Sequence, residues 1–296
     1  MIVLGTRGSP LAVAQANLVV RELRRLAPEV EVRLRVIESE GDRRPTAPLS
    51  DPGVDGWFTS RLQEELGRGE VDAAVHSAKD LPTDAPAGLA VVAYLERADP
   101  RDVMVTQGRR PWRELALGAR VGTSSPRRAA QLTDLRPDLQ PLPVRGNVQT
   151  RLRKVDSGEV DAVVLASAGL QRLGLDIGAE ALDPRSECTP APAQGAIAVE
   201  ATAGSPSGQL LEQLDHPPTR AAVEAERRLL KVMGGGCRLA LGALAEPWGE
   251  EGWRLTAAYS SGEVRSELRR STLETASEGG LALLVRELAA ELALPR

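Results

Sequence analysis

Two short stretches, GEVDAAV at residues 69–75 and GEVDAVV at residues 158–164, decide the predicted fold of this chain. In each stretch a glycine that can end a helix precedes an apolar run of strand length. A second pair lies upstream in the same order, LGTRGSP at residues 4–10 and VGTSSP at residues 121–126. Coincidence is the alternative, because strand–turn–helix strings recur in α/β proteins. Two pairs in one order favour two similar α/β units.

Strands that alternate with helices predict mostly parallel sheets. We therefore expect an α/β fold with two similar lobes, like those of solute-binding proteins, around a cleft. Ligands of such sheets bind at the carboxyl ends of the strands. Residues 1–95 and 196–214 are expected to form lobe 1, and residues 100–190 are expected to form lobe 2.

The pattern changes after residue 217, where Pro217-Pro218 precedes a helical stretch. We expect residues 217–296 to form a small α+β domain. Its predicted elements are a helix at 219–232, strands at 238–245, 253–259 and 263–268, and a last helix at 279–292. Two stretches rich in proline, glycine and serine, 40–56 and 202–208, predict surface loops.

The bulk composition is that of a soluble globular protein, with 42% hydrophobic and 26% charged residues in a chain of 296. A net charge of −4 argues against a general nucleic-acid binder. No apolar run approaches membrane-spanning length, and the first residues predict a strand and not a signal peptide. Two distant cysteines do not make a disulfide framework. These features favour a cytoplasmic protein.

The two Ser-Pro turns predict anion-binding helix starts, because a serine N-cap followed by proline leaves backbone N–H groups free at the positive end of a helix dipole. At the second turn Thr123, Ser124 and Ser125 add hydroxyls, and Arg127 and Arg128 add positive charge. Cations in a first turn oppose the helix dipole, which favours an anion as their partner. The alternative is an ordinary cap beside two solvated surface arginines.

Further arginines follow predicted strands. Arg7 lies in the first Ser-Pro turn, Arg145 and Arg151 follow a strand at 142–144, and Arg172 follows a strand at 160–166 by a short loop. Because carboxyl ends of parallel strands meet at one edge, we expect these side chains to share a cleft. Several arginines together predict a ligand with several carboxylates or phosphates.

The run HSAKDLP at residues 76–82 begins where the predicted strand 71–75 ends. Asp80 in a basic cleft would stay ionised, and it could stabilise a developing cation or move a proton. The alternative is a Lys79–Asp80 pair that closes the loop. His76 is interpreted as structural, and it has no metal-ligand spacing with His216, so no metal is predicted.

Cys237 follows three glycines, which allow close backbone approach, and Arg238 beside it favours a thiolate. We interpret Cys237 as a covalent attachment point. The alternative is a small buried residue behind a glycine turn. Cys188 lacks such surroundings and is interpreted as incidental.

Together these strings resemble the porphobilinogen deaminases, also called hydroxymethylbilane synthases, of tetrapyrrole and haem biosynthesis. The matching pieces run from residue 5 to about residue 243 in the family's order: GTRGSP at 5–10, VHSAKDLP at 75–82, VGTSSPRR at 121–128, RGNV at 145–148, PAQGA at 192–196, and ER at 226–227 through GGC at 235–237. The C-terminal strands and helix fit by pattern alone.

The resemblance implies a transferase whose dipyrromethane cofactor is bound through a thioether to Cys237. Four porphobilinogen units would be deaminated and added stepwise to this primer, with release of hydroxymethylbilane. Asp80 matches the catalytic aspartate, which would stabilise positive charge on pyrrole nitrogens. The residues implied to bind substrate and cofactor are Arg7, Ser9, Ser77, Lys79, Thr123, Ser124, Ser125, Arg127, Arg128, Arg145, Asn147, Arg151, Arg172 and Gln194.

The family also implies a monomer that passes its product to uroporphyrinogen-III synthase, without nucleic-acid or membrane partners. Two departures stand out. The loop at 47–56 carries Asp51 and Asp55 where many members have lysines, so no substrate role for it follows. Ala240 stands where the family usually has a proline.

Two other functions fit parts of the pattern. A two-lobed anion-binding module without catalysis would not need Cys237 or a third domain, and the lack of a signal peptide also counts against it. A phosphoribosyl-transferring enzyme would need acidic ribose-binding motifs and glycine-rich phosphate loops that the sequence lacks.

Overall fold

The computed structural model describes residues 1–38, 59–235, 239–261 and 268–293 of the chain. The helices in this part are α1 (Pro10–Leu26), α2 (Ser60–Gly67), α3 (Pro126–Leu135), α4 (Val148–Asp156), α5 (Ser167–Arg172), α6 (Pro206–Glu212), α7 (Pro217–Val232) and α8 (Leu281–Ala293). The strands are β1 (Ile2–Thr6), β2 (Val32–Val36), β3 (Ala73–Ser77), β4 (Leu89–Tyr94), β5 (Asp102–Thr106), β6 (Arg120–Gly122), β7 (Gln140–Leu142), β8 (Ala162–Ala166), β9 (Glu180–Ala181), β10 (Ile197–Thr202), β11 (Ala240–Trp248), β12 (Gly252–Ser260) and β13 (Arg269–Thr275).

The chain divides into two compact units. The first unit comprises Met1–Ala98 and Gly195–Ala221, and the second comprises Asp99–Gln194 and Ala222–Arg296. The second unit holds two sheets, since the strands after residue 240 form a sheet of their own. That sheet corresponds to the C-terminal α+β domain predicted from the sequence.

The two large sheets share one design. The first has the strand order β2-β1-β3-β10-β4 and the second has the order β7-β6-β8-β5-β9. The first three strands in each order pair in parallel. The fourth strand, β10 or β5, runs antiparallel to both of its neighbours. Four of the five strands in each sheet therefore point the same way. The predicted α/β class, duplication and mostly parallel sheets are confirmed.

The aspartate of each repeated GEVD stretch makes two backbone hydrogen bonds to the central parallel strand of its sheet, β1 in the first unit and β6 in the second. The backbone N–H of Val3 donates to Oδ2 of Asp72 (2.8 Å), and the N–H of Asp72 donates to the carbonyl of Val3 (2.9 Å). In the second unit Arg120 N–H donates to Oδ2 of Asp161 (2.7 Å), and Asp161 N–H donates to the Arg120 carbonyl (2.9 Å). Equivalent aspartates thus make the same two backbone hydrogen bonds in both units.

The glycine of each GEVD stretch ends a helix, as predicted. Gly69 and Gly158 have φ values of 72° and 73°, a left-handed conformation that glycine adopts without steric penalty. The N–H groups of Glu70 and Glu159 then reach back five residues to helix carbonyls, both at 3.0 Å. These bonds satisfy carbonyls that would otherwise lack partners at the helix end.

Helices cover both faces of each large sheet, so each unit has two apolar layers. In the first unit α1 and α6 cover one face and α2 covers the other. Alternation along β5 shows the same arrangement in the second unit. Val103 and Val105 pack with α4, while Met104 packs on the α3 side.

The third sheet is an antiparallel meander, β11-β12-β13. Helix α8 lies against β12 and β13, and β11 and β12 pack against α3 of the same unit. The first two strands and the last helix agree with the prediction. The strand predicted at 263–268 falls almost wholly outside the described residues, and the third strand described lies later in the chain, at Arg269–Thr275.

The surface loop predicted at 202–208 is wrong in its second half. Ser205 caps helix α6, its Oγ accepting from the N–H of Gly208 (3.1 Å), and Pro206 is the first helical residue. The segment therefore contains a third Ser-Pro helix start, which the glycine and serine content concealed. The loop predicted at 40–56 lies outside the described residues.

Candidate functional site

The first Ser-Pro turn in the first unit is a capped helix start, as predicted. Ser9 Oγ accepts from the N–H of Ala12 (3.3 Å), and Pro10 begins α1. Arg7 lies half-buried in the connection between β1 and this helix. Both residues therefore stand at the carboxyl end of a parallel strand, the edge at which a ligand was expected.

The segment with Asp80 is a short 3-10 turn, Ala78–Asp80, directly after β3. The strand lies two residues later than the predicted 71–75 and includes His76 and Ser77, because backbone pairing with β10 continues to Ser77. The Ser77 hydroxyl lies 3.0 Å from both amide atoms of buried Gln15. This contact fixes the start of the turn.

Lys79 and Asp80 are both half-buried at the end of this turn. Among the residues that the structure describes, none forms a hydrogen bond or ion pair with the Asp80 carboxylate. The alternative of a loop-closing Lys79–Asp80 pair is therefore not observed. The carboxylate is available for a ligand.

His76, in contrast, has a structural environment, as interpreted from the sequence. Its side chain is buried, and its Nε2 lies 3.2 Å from Oε2 of buried Glu200, although without hydrogen-bond geometry. Gln63 Nε2 donates to the other Glu200 oxygen (3.0 Å). These side chains link α2, β3 and β10, and β3 is the strand that leads into the Asp80 turn.

In the second unit the hydroxyls of residues 123–125 order their own loop. Ser125 caps α3, its Oγ accepting from the N–H of Arg128 (3.4 Å), and Thr123 Oγ1 accepts from the N–H of Ser125 (3.2 Å). Ser124 donates to the carbonyl of Val144 (2.9 Å) and joins this turn to the next predicted site segment. The Ser-Pro helix start is confirmed here also.

Arg127 and Arg128 are not the solvated surface arginines of the alternative interpretation. Both are buried, and each lies within ion-pair distance of Asp102, at 2.8 Å and 2.7 Å. Sequence analysis missed Asp102, because an acidic residue at the start of a strand carries no local sign of its partners. Its burial and its two arginines appear only in the folded chain.

The segment RGN at residues 145–147 forms the second half of this edge. Strand β7 ends at Leu142, two residues earlier than predicted. Asn147 caps α4, its Oδ1 accepting from the N–H of Thr150 (2.8 Å), and Arg151 donates from Nε to the carbonyl of Gly146 (3.0 Å). Nη1 of half-buried Arg145 is itself buried and has no hydrogen-bond partner among the described residues.

Arg172 lies in a helix where a short loop was expected, and Gln194 lies in the turn before β10. Arg172 is the last residue of helix α5, and burial lowers the pKa of its guanidinium to about 10, so that it stays protonated at neutral pH. Gln194 is buried, and its Nε2 donates to Oδ1 of Asp102 (2.7 Å) and to the carbonyl of Pro100 (2.8 Å). Gln194 thus belongs to the Asp102 cluster.

Cys188 is more than incidental to this cluster. Its buried Sγ lies 3.4 Å from Oδ2 of Asp102 and 3.6 Å from Nη1 of Arg127. Burial and the Asp102 charge raise the pKa of the thiol to about 12. A thiol in these surroundings stays protonated and is a poor nucleophile.

Cys237 lies outside the described residues, but the structure describes the residues that lead to it. Helix α7 ends through Gly234 and Gly235, with φ values of 102° and 59°, and Gly235 N–H reaches back to the carbonyl of Leu230 (2.8 Å). Both glycines thus adopt positive φ values, which a residue with a Cβ rarely adopts.

Glu226 on α7 is a buried carboxylate that connects this helix to residues 193 and 245. No role was predicted for it from the sequence. Glu226 Oε2 accepts from the N–H of Ala193 (2.6 Å), and its Oε1 accepts from the N–H of Ala245 (2.8 Å). Ala193 has a positive φ of 64°, which is unfavourable for a residue with a Cβ. The charge-assisted hydrogen bond offsets that cost.

The described ranges contain no group of three or more histidine, cysteine, aspartate or glutamate side chains placed to hold a metal. Nor does any helix in them have the length and apolar character needed to cross a membrane.

Comparison with solved structures finds similarity to binding proteins of low sequence identity. One is the periplasmic aliphatic sulphonate binding protein SsuA from Escherichia coli, 15% identical, covering 98% of this chain and 85% of that chain with a TM-score of 0.42. Another is the probable amino-acid ABC transporter extracellular-binding protein YtmK from Bacillus subtilis, 13% identical, covering 72% and 89%, with a TM-score of 0.41.

Sequence comparison is more specific. Residues 2–208 match the family model for the dipyrromethane cofactor binding domain of porphobilinogen deaminase. Porphobilinogen deaminase of Desulforudis audaxviator is 50% identical over 82% of this chain and 79% of its own length, and that of Rubrobacter xylanophilus is 44% identical over 95% of both. The chain belongs to the porphobilinogen deaminase family, the hydroxymethylbilane synthases, which are transferases with a dipyrromethane cofactor.

Proposed function

We propose that this enzyme deaminates four porphobilinogen molecules and joins them stepwise to a dipyrromethane primer held by a thioether to Cys237, and that it releases hydroxymethylbilane. One molecule of ammonia leaves at each addition. The observation that carries this proposal is the family match, and the buried pair Arg127 and Arg128 at the start of α3 supports it. We further propose a cytoplasmic monomer that passes its product to uroporphyrinogen-III synthase.

The residues of the second unit fit a polycarboxylate. Nε of Arg128 and Nη1 of Arg145 are buried and lack hydrogen-bond partners among the described residues. Buried donors of this kind normally have a partner, because an unsatisfied buried group costs about 1–3 kcal/mol of desolvation free energy, and a charged group costs more. The acetate and propionate groups of a pyrrole chain are acceptors of the required charge.

The binding roles are proposed for both units. In the first unit they fall to Arg7, Ser9, Ser77 and Lys79. In the second they fall to Thr123, Ser124, Ser125, Arg127, Arg128, Arg145, Asn147, Arg151, Arg172 and Gln194. Each arginine would bind a carboxylate, and the capped helix starts would add backbone N–H groups.

Asp80 is proposed as the catalytic residue. When bound, the cofactor would supply the nucleophilic pyrrole carbon to which the first unit is joined, and each later unit would be joined to the pyrrole added before it. The Asp80 carboxylate would stabilise positive charge on the pyrrole nitrogens while ammonia leaves and the carbon–carbon bond forms. Its position at the end of a 3-10 turn, with no described ion-pair partner, supports this role.

The residues at 217–296 are proposed to form the cofactor-anchoring domain. The Gly234–Gly235 helix end would present the attachment cysteine, and Glu226 would hold α7 to β11 and to residue 193. Strands β11 and β12 of the proposed anchoring domain pack against α3, the helix that carries Arg127 and Arg128.

Intact mass tests this proposal. The purified chain should be heavier than its sequence by a dipyrromethane unit, and Cys237→Ser should remove both the increment and the activity. After denaturation, the loaded chain should expose one free thiol, Cys188, since Cys237 is blocked. A fully active chain of unmodified mass, with two titratable thiols, would disprove the covalent primer.

A further inference from the structure

Asp102, the first residue of β5, is a fully buried carboxylate that contacts four other side chains. Its Oδ1 accepts from Nη2 of Arg128 and Nε2 of Gln194, both at 2.7 Å. Its Oδ2 lies 2.8 Å from Nη1 of Arg127 and 3.4 Å from Sγ of Cys188. One carboxylate thus fixes both arginines at the first turn of α3.

The charges of this cluster do not balance. Burial alone would raise the pKa of Asp102, but the charges of Arg127 and Arg128 and their hydrogen bonds hold that pKa well below its usual range. One ionised carboxylate therefore faces two guanidinium groups, and the cluster keeps one positive charge. A buried unbalanced charge is unfavourable unless a further partner neutralises it.

The arginines are held in single orientations. Arg128 donates from Nη1 to the carbonyl of Val164 (2.9 Å) and from Nη2 to Asp102, while its buried Nε has no hydrogen-bond partner among the described residues. Arg127 uses the same Nη1 for Asp102 and for the carbonyl of Thr189. The unused N–H group and the excess charge therefore have a fixed position on α3.

We infer that Asp102 is a positioning residue for the cofactor, because it orients Arg127 and Arg128 so that their remaining donors and their net charge bind carboxylates of the dipyrromethane. The inference rests on the proposed function. If Asp102 were purely structural, its replacement would change Tm but not the fraction of folded protein that carries the cofactor.

The test compares Asp102→Asn, which removes the charge, with Asp102→Glu, which keeps the charge but moves it by one methylene. Glu187→Gln is the matched control, since Glu187 is a buried carboxylate of the same unit whose arginine partner is Arg113. Each variant is prepared with Cys237 and with Cys237→Ser. Intact mass gives the loaded fraction, and thermal unfolding gives Tm.

Asp102→Asn should lower the loaded fraction at least about tenfold, as expected for loss of a hydrogen bond to a charged group. Asp102→Glu should lower it less and should raise the KM for porphobilinogen more than it changes kcat per loaded chain. In both variants the Tm difference between the Cys237 and Cys237→Ser chains should shrink. Glu187→Gln should keep the native loaded fraction and Tm difference.

The inference is overturned if either Asp102 variant is loaded to the native fraction with an unchanged Tm difference, even when Tm itself falls. If Asp102→Asn yields no folded protein, Asp102→Glu becomes the test of the inference. Its carboxylate still provides a negative charge beside Arg127 and Arg128. Failure of the proposed function would look different. The native chain would then carry no added mass, or Cys237→Ser would retain it.

Discussion

At the scale of single residues, Arg127 and Arg128 were expected to bind an anionic ligand, and they already pair with a carboxylate of the protein itself. Arg127 and Arg128 share Asp102, so removal of either arginine would also leave a buried carboxylate with less neutralisation. Asp80 is in the opposite situation, because its half-buried carboxylate has no partner among the described residues. A change at Asp80 therefore reports on chemistry with little effect on folding.

We predict that Asp80→Asn leaves the added cofactor mass in place but lowers kcat by about a hundredfold to ten-thousandfold, the range for a group that acts directly on the reacting atoms. Asp84→Asn, which removes an exposed carboxylate from the same segment, is the control and should keep the native rate. Intact mass and steady-state assays measure the two effects. Native turnover by Asp80→Asn would refute the assigned role.

At the scale of the elements, helix ends decide where site residues stand. Ser9, Ser125 and Asn147 cap three helices, and all three come from segments singled out in the sequence. The end of α7 is equally specific, since Gly234 and Gly235 both have positive φ values. This glycine pair turns the chain from α7 toward Cys237.

Gly234→Ala should therefore destabilise the fold by about 1–2 kcal/mol, since an L residue at positive φ is strained, although no atom of the described residues lies within 4 Å of the new Cβ. The displaced helix end should also lower the loaded fraction. Gly67→Ala is the matched control, because Gly67 is helical and equally open, so that its replacement should be neutral or stabilising by up to about 1 kcal/mol. Urea unfolding and intact mass check both. Equal stability of the two variants would contradict the strain argument.

At the scale of the whole molecule, the second unit depends on ionised carboxylates. Buried Asp102 has a lowered pKa, with Arg127 and Arg128 outweighing the effect of burial. A hydrogen bond from Arg120 lowers the pKa of Asp161, which clamps β6 in the second unit. A carboxyl group with a lowered folded pKa stabilises the fold fully above its unfolded pKa of about 3.9 and loses that contribution as pH falls through the folded value.

Accordingly, the urea midpoint should be nearly constant from pH 7 to pH 5 and should fall below about pH 4. Asp161→Asn should have a lower midpoint at pH 7 but should lose less between pH 5 and pH 3, because it has one carboxylate fewer to protonate. Circular dichroism during urea titration measures both. A midpoint that already drops between pH 7 and pH 5 would mean that other groups control acid unfolding.

Local patterns were enough to predict the repeated α/β units, the capped helix starts and the family, because these depend on local spacing and on residue types. Which side chains contact each other is visible only in the folded chain. Asp102 and Arg127 stand 25 positions apart in the sequence, and Ala193 and Glu226 stand 33 apart. Such contacts depend on strand order and burial, which no local pattern encodes. The physical reason is that pairing in a low-dielectric interior follows from folded position and not from sequence distance.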